Sequence, residues 1–552
     1  MHSHRRPAAI ITGLLMATGL LAAAPPAMAA AGRTAAPAAV PVAGTGTATA
    51  HSVKIQSTTA SPQALTAATP GPVLGKNGKP AGSALAPAAS PAARPALPAK
   101  PVQPGSPNTG RAPAAVASGP KAPAAGSAAA APLSDPSFTG ATEANSSCSN
   151  CQTPYVSAAV SATQIAETVN LSLQVFNKSG GTVCTESLST LFGALGGLTE
   201  PRIQYDNAAK RYSLVIASMP STSSDVPVFY LATSQADNAC GAWWVYSIIL
   251  SGNQYPLGAQ LNYPYLGQDS TSLLASTNNF TFASRYLGTG AFAMPKSVAY
   301  TGNPFNITTY SVDFSTAPAT VAGIPISATT TTYWLAALPG TGFDVFSMPT
   351  NPAGAISLVG TVGAAFSPPS QRVQQPGTSN TLDPLDGRIP SSVVQDRNLI
   401  WFANDIDFNG LPSVLYGAID GTNGAISTGL AYHSNSSYDF NPSISVSDRG
   451  SNAFAVWVNW AYTDPSAGVP VSATVNGVAP GGGVPDLVGT DLTLVTGKSS
   501  TSIATFGAYS SVEVDPVASS SSCPAGLTAL SAQEYFTSTS QWATVLARTS
   551  FC

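Results

Sequence analysis

The residues whose spacing most directly suggests chemistry are Asp405-Ile406-Asp407-Phe408-Asn409-Gly410. Side-chain oxygens on alternate residues, with a glycine permitting a sharp turn, are how a short loop wraps a calcium ion. The position at which an EF-hand carries its bidentate glutamate is Tyr416, so the segment is not an EF-hand. The same residue types also build a hairpin turn, because Asp and Asn bond the local backbone and Gly accepts positive φ. Two readings therefore stand: calcium held by Asp405, Asp407 and Asn409, or a turn between strands Leu399–Ala403 and Ser413–Ala418.

Other chemistries find less support. A Ser-His-Asp or Cys-His device needs a histidine base, and from residue 135 onward the one histidine is His433, in a polar loop beside Ser434 and Asn435. Glycoside hydrolysis needs two carboxylates facing one sugar. Asp206, Asp269, Asp448 and Asp515 are spread along the chain and read as turn residues rather than as a catalytic set. A sialidase also needs an arginine cluster for the substrate carboxylate and a Tyr–Glu pair, and the spacing of the arginines points to no such cluster. Gly481–Gly483 follows no strand-to-helix context, so no phosphate loop is indicated. Trp334, Trp401, Trp457 and Trp460 either pack between structural units or line a sugar-binding face.

Six cysteines, an even number, fit an exported chain that keeps disulfides. Cys523 and Cys552 bracket the last strands and are expected to pair. Cys184 and Cys240 flank the first hairpins and are expected to pair, which leaves Cys148 with Cys151. The Cys148-Ser-Asn-Cys151 spacing also invites zinc or redox readings. A structural zinc site wants four Cys or His ligands, and no thioredoxin-like βαβ pattern surrounds the pair.

These residues sit in a chain of three parts. Residues 1–29 read as an export signal, with a basic head at His2, His4, Arg5 and Arg6, an apolar run from Ala8 to Ala24, and a small-x-small site at Ala27-Met28-Ala29. No later stretch is apolar for long enough to span a membrane. Residues 30–134 are mostly Ala, Pro, Gly, Ser and Thr, without Phe, Tyr, Trp, Asp or Glu before residue 134. So few large apolar groups cannot offset an ordering cost of about 1–2 kcal/mol per backbone residue, and a disordered linker is expected. Residues 135–552 hold all 25 acidic residues against 12 Lys and Arg, a net charge of −13. Such a body repels nucleic acid.

Within that body the pattern is strand nearly throughout. Glu200–Ser218 reads as one hairpin: Ile203 and Tyr205 alternate with polar neighbours, Asp206–Lys210 turns, and Tyr212, Leu214 and Ile216 alternate on the return. Only Thr528–Phe536 suggests a helical turn. Many short strands without helices mean a sandwich, barrel or propeller, and the length disfavours a lone sandwich.

Several segments resemble a family of secreted bacterial β-propellers with a sialidase-like fold, mostly of unassigned activity. Val169–Val183 is similar to its first strand and turn, and Glu200–Tyr212 to its Asp-Pro-x-x-x-Tyr-Asp hairpin, with Glu200 in place of the first Asp. Tyr255–Asp269, Phe440–Gly450, Phe506–Pro516 and Gln533–Phe551 resemble later strands and the closing blade, with Ala508 where an Asp is common. The resemblance implies an all-β propeller over 135–552. Six blades are expected, with five or seven open, and the ring is expected to close by pairing Val169–Phe176 with Ala547–Phe551. The expected function is that of an exported, monomeric, non-catalytic propeller at the cell surface or outside the cell, binding a carbohydrate or a protein. The alternative is a glycoside hydrolase or lyase using axial carboxylates.

Overall fold

The computed structural model describes residues 44–54, 132–147, 154–194, 197–350, 354–447, 455–479, 487, 491–503, 506–519 and 523–552. The expected signal segment and the Cys148–Cys151 pair lie outside these residues, as does the linker apart from Gly44–Lys54 and its last three residues.

The described strands form a β-propeller of seven antiparallel four-stranded blades. The first blade is Val156–Val160, Gln164–Val169, Ser172–Asn177 and Thr182–Ser187; the second is Gly197–Asp206, Arg211–Met219, Val228–Ser234 and Ala242–Ser251. The third is Gln260–Gln268, Ser272–Phe280, Tyr286–Pro295 and Phe305–Val312; the fourth is Ala317–Val321, Thr331–Leu338, Gly342–Pro349 and Ser357–Gly363. The fifth is Val393–Asp396, Leu399–Phe408, Leu411–Asp420 and Ile426–Ala431; the sixth is Tyr438–Val446, Val456–Asp464, Val469–Val478 and Leu492–Val495. The seventh is Ser511–Val514, Thr528–Phe536 and Trp542–Ser550, with Leu133–Thr142 as its outer strand. The first strand of each blade packs on that of the next, and the seventh returns to the first, so these seven strands surround the axis.

Three expectations change. The blades number seven, one of the counts left open beside the expected six. The ring closes through Leu133–Thr142 on Trp542–Ser550, whereas Val169–Phe176 belongs to a local hairpin whose turn is Asn170-Leu171. Thr528–Phe536 is a strand buried along its whole length between two partners, and that burial overrides its weak helical pattern. The closing strand starts at Leu133 and so straddles the boundary expected at residue 135.

Large side chains fill the spaces between blades. Trp401 and Trp460 pack in one cluster with residues of the fifth and sixth blades, Trp457 meets Val512 and Ala529 of the seventh, and Trp334 meets Leu274 and Ala291 of the third. All four indoles are buried, so they hold blades together rather than face a ligand. Disulfides join Cys184 to Cys240, from the first blade to the second, and Cys523 to Cys552 across the seventh.

Candidate functional site

The seven first strands enclose an axial cavity of about 260 Å³. Ser157, Gln204, Gln268, Thr320, Val394, Ser445 and Glu513 line it, one from each first strand, and Asn207, Gly323 and Gly526 stand at its mouth, on the face where those strands end. Many of the polar groups around it are already engaged across blades. Ser157 Oγ accepts from Ile203 N at 3.1 Å, and Ser511 Oγ accepts from Ala158 N at 2.8 Å. Gln204 and Gln268 exchange amide bonds with the opposite strands, donating to Gly267 O at 3.0 Å and Tyr205 O at 2.9 Å. These bonds tie the ring together and fix the cavity's shape.

Glu513 is the one carboxylate among the lining residues. Its Oε2 accepts from Val160 N at 3.3 Å. Enclosure by the surrounding strands, opposed by that one backbone bond, pushes its pKa up to about 8. At neutral pH the lining therefore holds hydroxyls, amides, a protonated carboxyl, Arg202 and apolar groups such as Val321 and Ile326.

At the opposite end, where the first strands begin, aromatic and charged side chains close the axis. The second, third and sixth blades repeat one device there: Glu200, Tyr263 and Asn441 take positive φ, each precedes a proline, and each sits in a register shift against the neighbouring strand. Proline is tolerated at a bulge because no ladder donor is needed there. The bulges turn side chains toward the axis. Arg202 lies over the Tyr509 ring at 3.4 Å from its centroid, and donates to Pro264 O at 3.1 Å and Pro390 O at 2.8 Å. Glu200 Oε2 accepts from Tyr509 Oη at 2.8 Å and from Tyr263 N. Burial raises the Glu200 pKa, and the Tyr509 and Tyr263 bonds only partly oppose it. Arg388 stacks on Tyr263 at 4.2 Å and pairs bidentately with Asp386 at 2.7 Å. Ala508 is buried in the same cluster.

The structure thus brings together a Tyr–Glu pair and two arginines that their sequence spacing did not reveal. The signal lay in three motif segments: Glu200 and Arg202 begin one, Tyr263 and Tyr265 stand in another, and Tyr509 in a third. Their chemistry stayed hidden because Tyr509 joins them from 309 residues away.

Asp405 and Asp407 of the calcium reading accept from different parts of the chain. Asp405 is buried, and its Oδ1 accepts from Asn441 N at 2.9 Å. Asp407 bonds Gly410 N at 2.9 Å and the Ser370 hydroxyl, and Asn409-Gly410 forms a two-residue turn with φ of 55° and 84°. Asn409-Gly410 is the turn between strands Leu399–Phe408 and Leu411–Asp420, so the first strand runs five residues past its expected end at Ala403. Among the described residues no three His, Cys, Asp or Glu side chains gather as a metal site. His433 Nδ1 lies 2.8 Å from Asp491 Oδ2 and its ring stacks on Tyr462 at 3.9 Å, in the segment between the fifth and sixth blades and away from the cavity lining.

The dispersed carboxylates hold turns and blade contacts. Asp206 accepts from Ala208 and Ala209 amides at 2.9 Å and from Lys296 Nζ at 2.6 Å. Asp269 accepts from Thr271 and Ser272 amides at 2.7 Å and from Thr332 Oγ1 of the fourth blade at 2.7 Å. Asp515 receives Lys178 at 2.8 Å and Arg548 at 3.0 Å. Asp448 lies outside the described residues.

No protein-family model matches the chain, and no curated protein matches it. Among solved structures, an apocarotenoid oxygenase of Synechocystis is similar at 9% identity and TM-score 0.35, covering 61% of this chain and 71% of its own. A neuraminidase-like protein of A/little yellow-shouldered bat/Guatemala is similar at 8% identity and TM-score 0.32, covering 55% and 90%. An exo-beta-1,3-galactanase from Phanerochaete chrysosporium is similar at 11% identity and TM-score 0.28, covering 75% and 99%. The assignment of the fold rests on the strand pairing itself. Among the described residues no helix is long and apolar enough to cross a membrane.

Proposed function

We propose that this chain is an exported, non-catalytic, monomeric propeller that binds a small polar ligand, a carbohydrate in the first instance, in its axial cavity. The observation that carries the reading is the cavity wall: seven first strands contribute hydroxyls, amides and apolar groups, with Glu513 as its one carboxyl and Arg202 as its one cation. A cavity of about 260 Å³ is near the small end of ligand sites, which start at roughly 300 Å³, and suits a monosaccharide-sized group. Asp206, Asp269 and Asp515 are spent on turn amides and ion pairs, which argues against a hydrolytic role for them. The two disulfides and the resemblance to secreted propellers support export. The test is a glycan array beside a panel of chromogenic glycosides, followed by calorimetry on hits. Saturable binding without turnover is expected, and Ser445→Phe, which fills the cavity, should weaken it at least tenfold while the melting temperature holds.

The second reading, a glycoside hydrolase using axial carboxylates, is favoured by one observation: Tyr509 donates to Glu200, a buried carboxyl at the axis with Arg202 alongside. Turnover of any glycoside that is lost in Glu200→Gln or Glu513→Gln would replace the binding reading with this one.

A further inference from the structure

The strand Gly44–Lys54 belongs to no blade. It runs antiparallel to the outer strand of the second blade, from Thr45 opposite Ser251 to Lys54 opposite Ala242. On its other side Gly44–Ala48 pairs with the outer strand of the third blade, from Thr309 to Phe305. One short strand therefore bridges the rims of two neighbouring blades. Among the described residues no other pair of outer strands is joined in this way.

Two facts make this pairing physically specific. The outer strand of a blade is an edge, and its outward N–H and C=O groups form a template for another extended chain. Here two such edges are served by one segment. The segment also differs from its surroundings in sequence. Between Pro41 and Pro62 there is no proline, a longer gap than any other between residues 30 and 134. Every residue from 44 to 54 thus keeps its backbone donor, which proline would remove. Thr45, Thr47 and Thr49 alternate with Gly46, Ala48 and Ala50, placing β-branched residues at the two-residue period of a strand.

We propose that the slot between the second and third blades is a strand-acceptor site, filled in cis by Gly44–Lys54. Cis filling is favoured because a strand on the same chain meets the slot at an effective concentration far above that of a second copy in dilute solution. The occupant is recognised through main-chain hydrogen bonds, so an extended, proline-free segment of small and β-branched residues is the chemistry the slot accepts.

Cysteine pairing tests the seating in the full chain. Thr47 lies opposite Ile249, an exposed position on the rim. Thr47→Cys with Ile249→Cys should form a disulfide within one molecule, seen as a monomer on a non-reducing gel and as a linked peptide on mapping. Absence of the link in folded protein overturns the seating, and linked dimers overturn the cis assignment. Hydrogen exchange gives a second readout. Ala48→Pro with Thr49→Pro removes donors of both parities. The amides of Ala242–Ser251 that face Gly44–Lys54 should then exchange at least tenfold faster, while those facing Val228–Ser234 keep their protection. A synthetic peptide of residues 44–54 should restore the slow rates. Unchanged exchange in the proline variant, or no restoration by the peptide, overturns the proposal.

Discussion

Asp206 does three tasks with one carboxylate: it holds its own turn, neutralises the buried Lys296, and accepts from Tyr300 Oη at 3.0 Å. Burial alone would raise its pKa, but Lys296 and the turn amides outweigh burial and hold it below its ordinary 3.8. Stability from a depressed carboxylate is present above the unfolded value and is lost as pH falls through the folded one. Asp206→Asn leaves the ammonium of a lysine only 7% exposed without its counter-charge, a loss of about 3–5 kcal/mol. Urea unfolding at neutral pH should show it, and the variant should lose less stability than the parent below about pH 4. Glu513 works in the opposite direction. Its folded pKa is raised from 4.5 to about 8, so its contribution is complete below the unfolded value and is lost as pH rises through the folded one. Thermal melting of Glu513→Gln should therefore show a shallower decline than the parent between about pH 5 and pH 8. Part of the decline should persist, because burial also raises Glu167 and Asp439 to about 7.

At the scale of the element, the strands follow directly from alternation, and the turns from Asp, Asn and Gly. The Asn409-Gly410 hairpin needs positive φ at both residues, as two-residue hairpins of this type do. Gly410→Ala should destabilise by about 1 kcal/mol, since an L side chain is disfavoured there even though its Cβ would meet only Gln371 at 3.9 Å. Gly360→Ala, with open space and no positive φ, should change stability by under about 0.5 kcal/mol. Calcium should raise the melting temperature of neither the parent nor Asp407→Asn, because both Asp405 and Asp407 already accept from backbone amides. The blade period was also legible, though less openly. Pro201 and Asp206, Pro264 and Asp269, and Ser510 and Asp515 recur at one spacing of five along three first strands, with the Asp at or just past each strand end. In the sixth blade the residue five after Pro442 is Ser447, and in the fourth Pro318 is followed five residues later by Gly323, so neither carries the Asp. The expectation of six blades, with five or seven open, did not use this marker. The axial cluster was less legible, because a Tyr–Glu contact spanning 309 residues is set by the closure of the ring and by no local pattern.

For the whole molecule, closure is the step in which the chain's distant parts meet. Leu133–Thr142 lies opposite Trp542–Ser550, pairing residues some 400 positions apart. Its sequence, Leu-Ser-Asp-Pro-Ser-Phe-Thr-Gly-Ala-Thr, carries proline and glycine and shows no apolar alternation, so the pattern did not single it out as a strand. An outer strand tolerates such residues, since only one side of it must pair. Further ties reinforce this seam. Phe138 packs on Phe176 of the first blade at 5.4 Å, Asp515 joins Lys178 of the first blade to Arg548 of the seventh, and Cys523–Cys552 secures the last strands. The disulfide spans 29 residues, for which loop-closure entropy predicts about 3.5 kcal/mol. It constrains only the seventh blade, whereas the strand joins that blade to the chain's other end. Removing residues 133–142 takes away a full ladder and bares the edge of Trp542–Ser550, so both the first and seventh blades lose a neighbour. Cys552→Ser should lower the melting temperature while keeping a single cooperative transition. Deletion of 133–142 should instead give an early transition in which amides of the first and seventh blades exchange before those of the third, fourth and fifth. If the deletion melts in one step with uniform exchange, the ring does not depend on this strand for its closure.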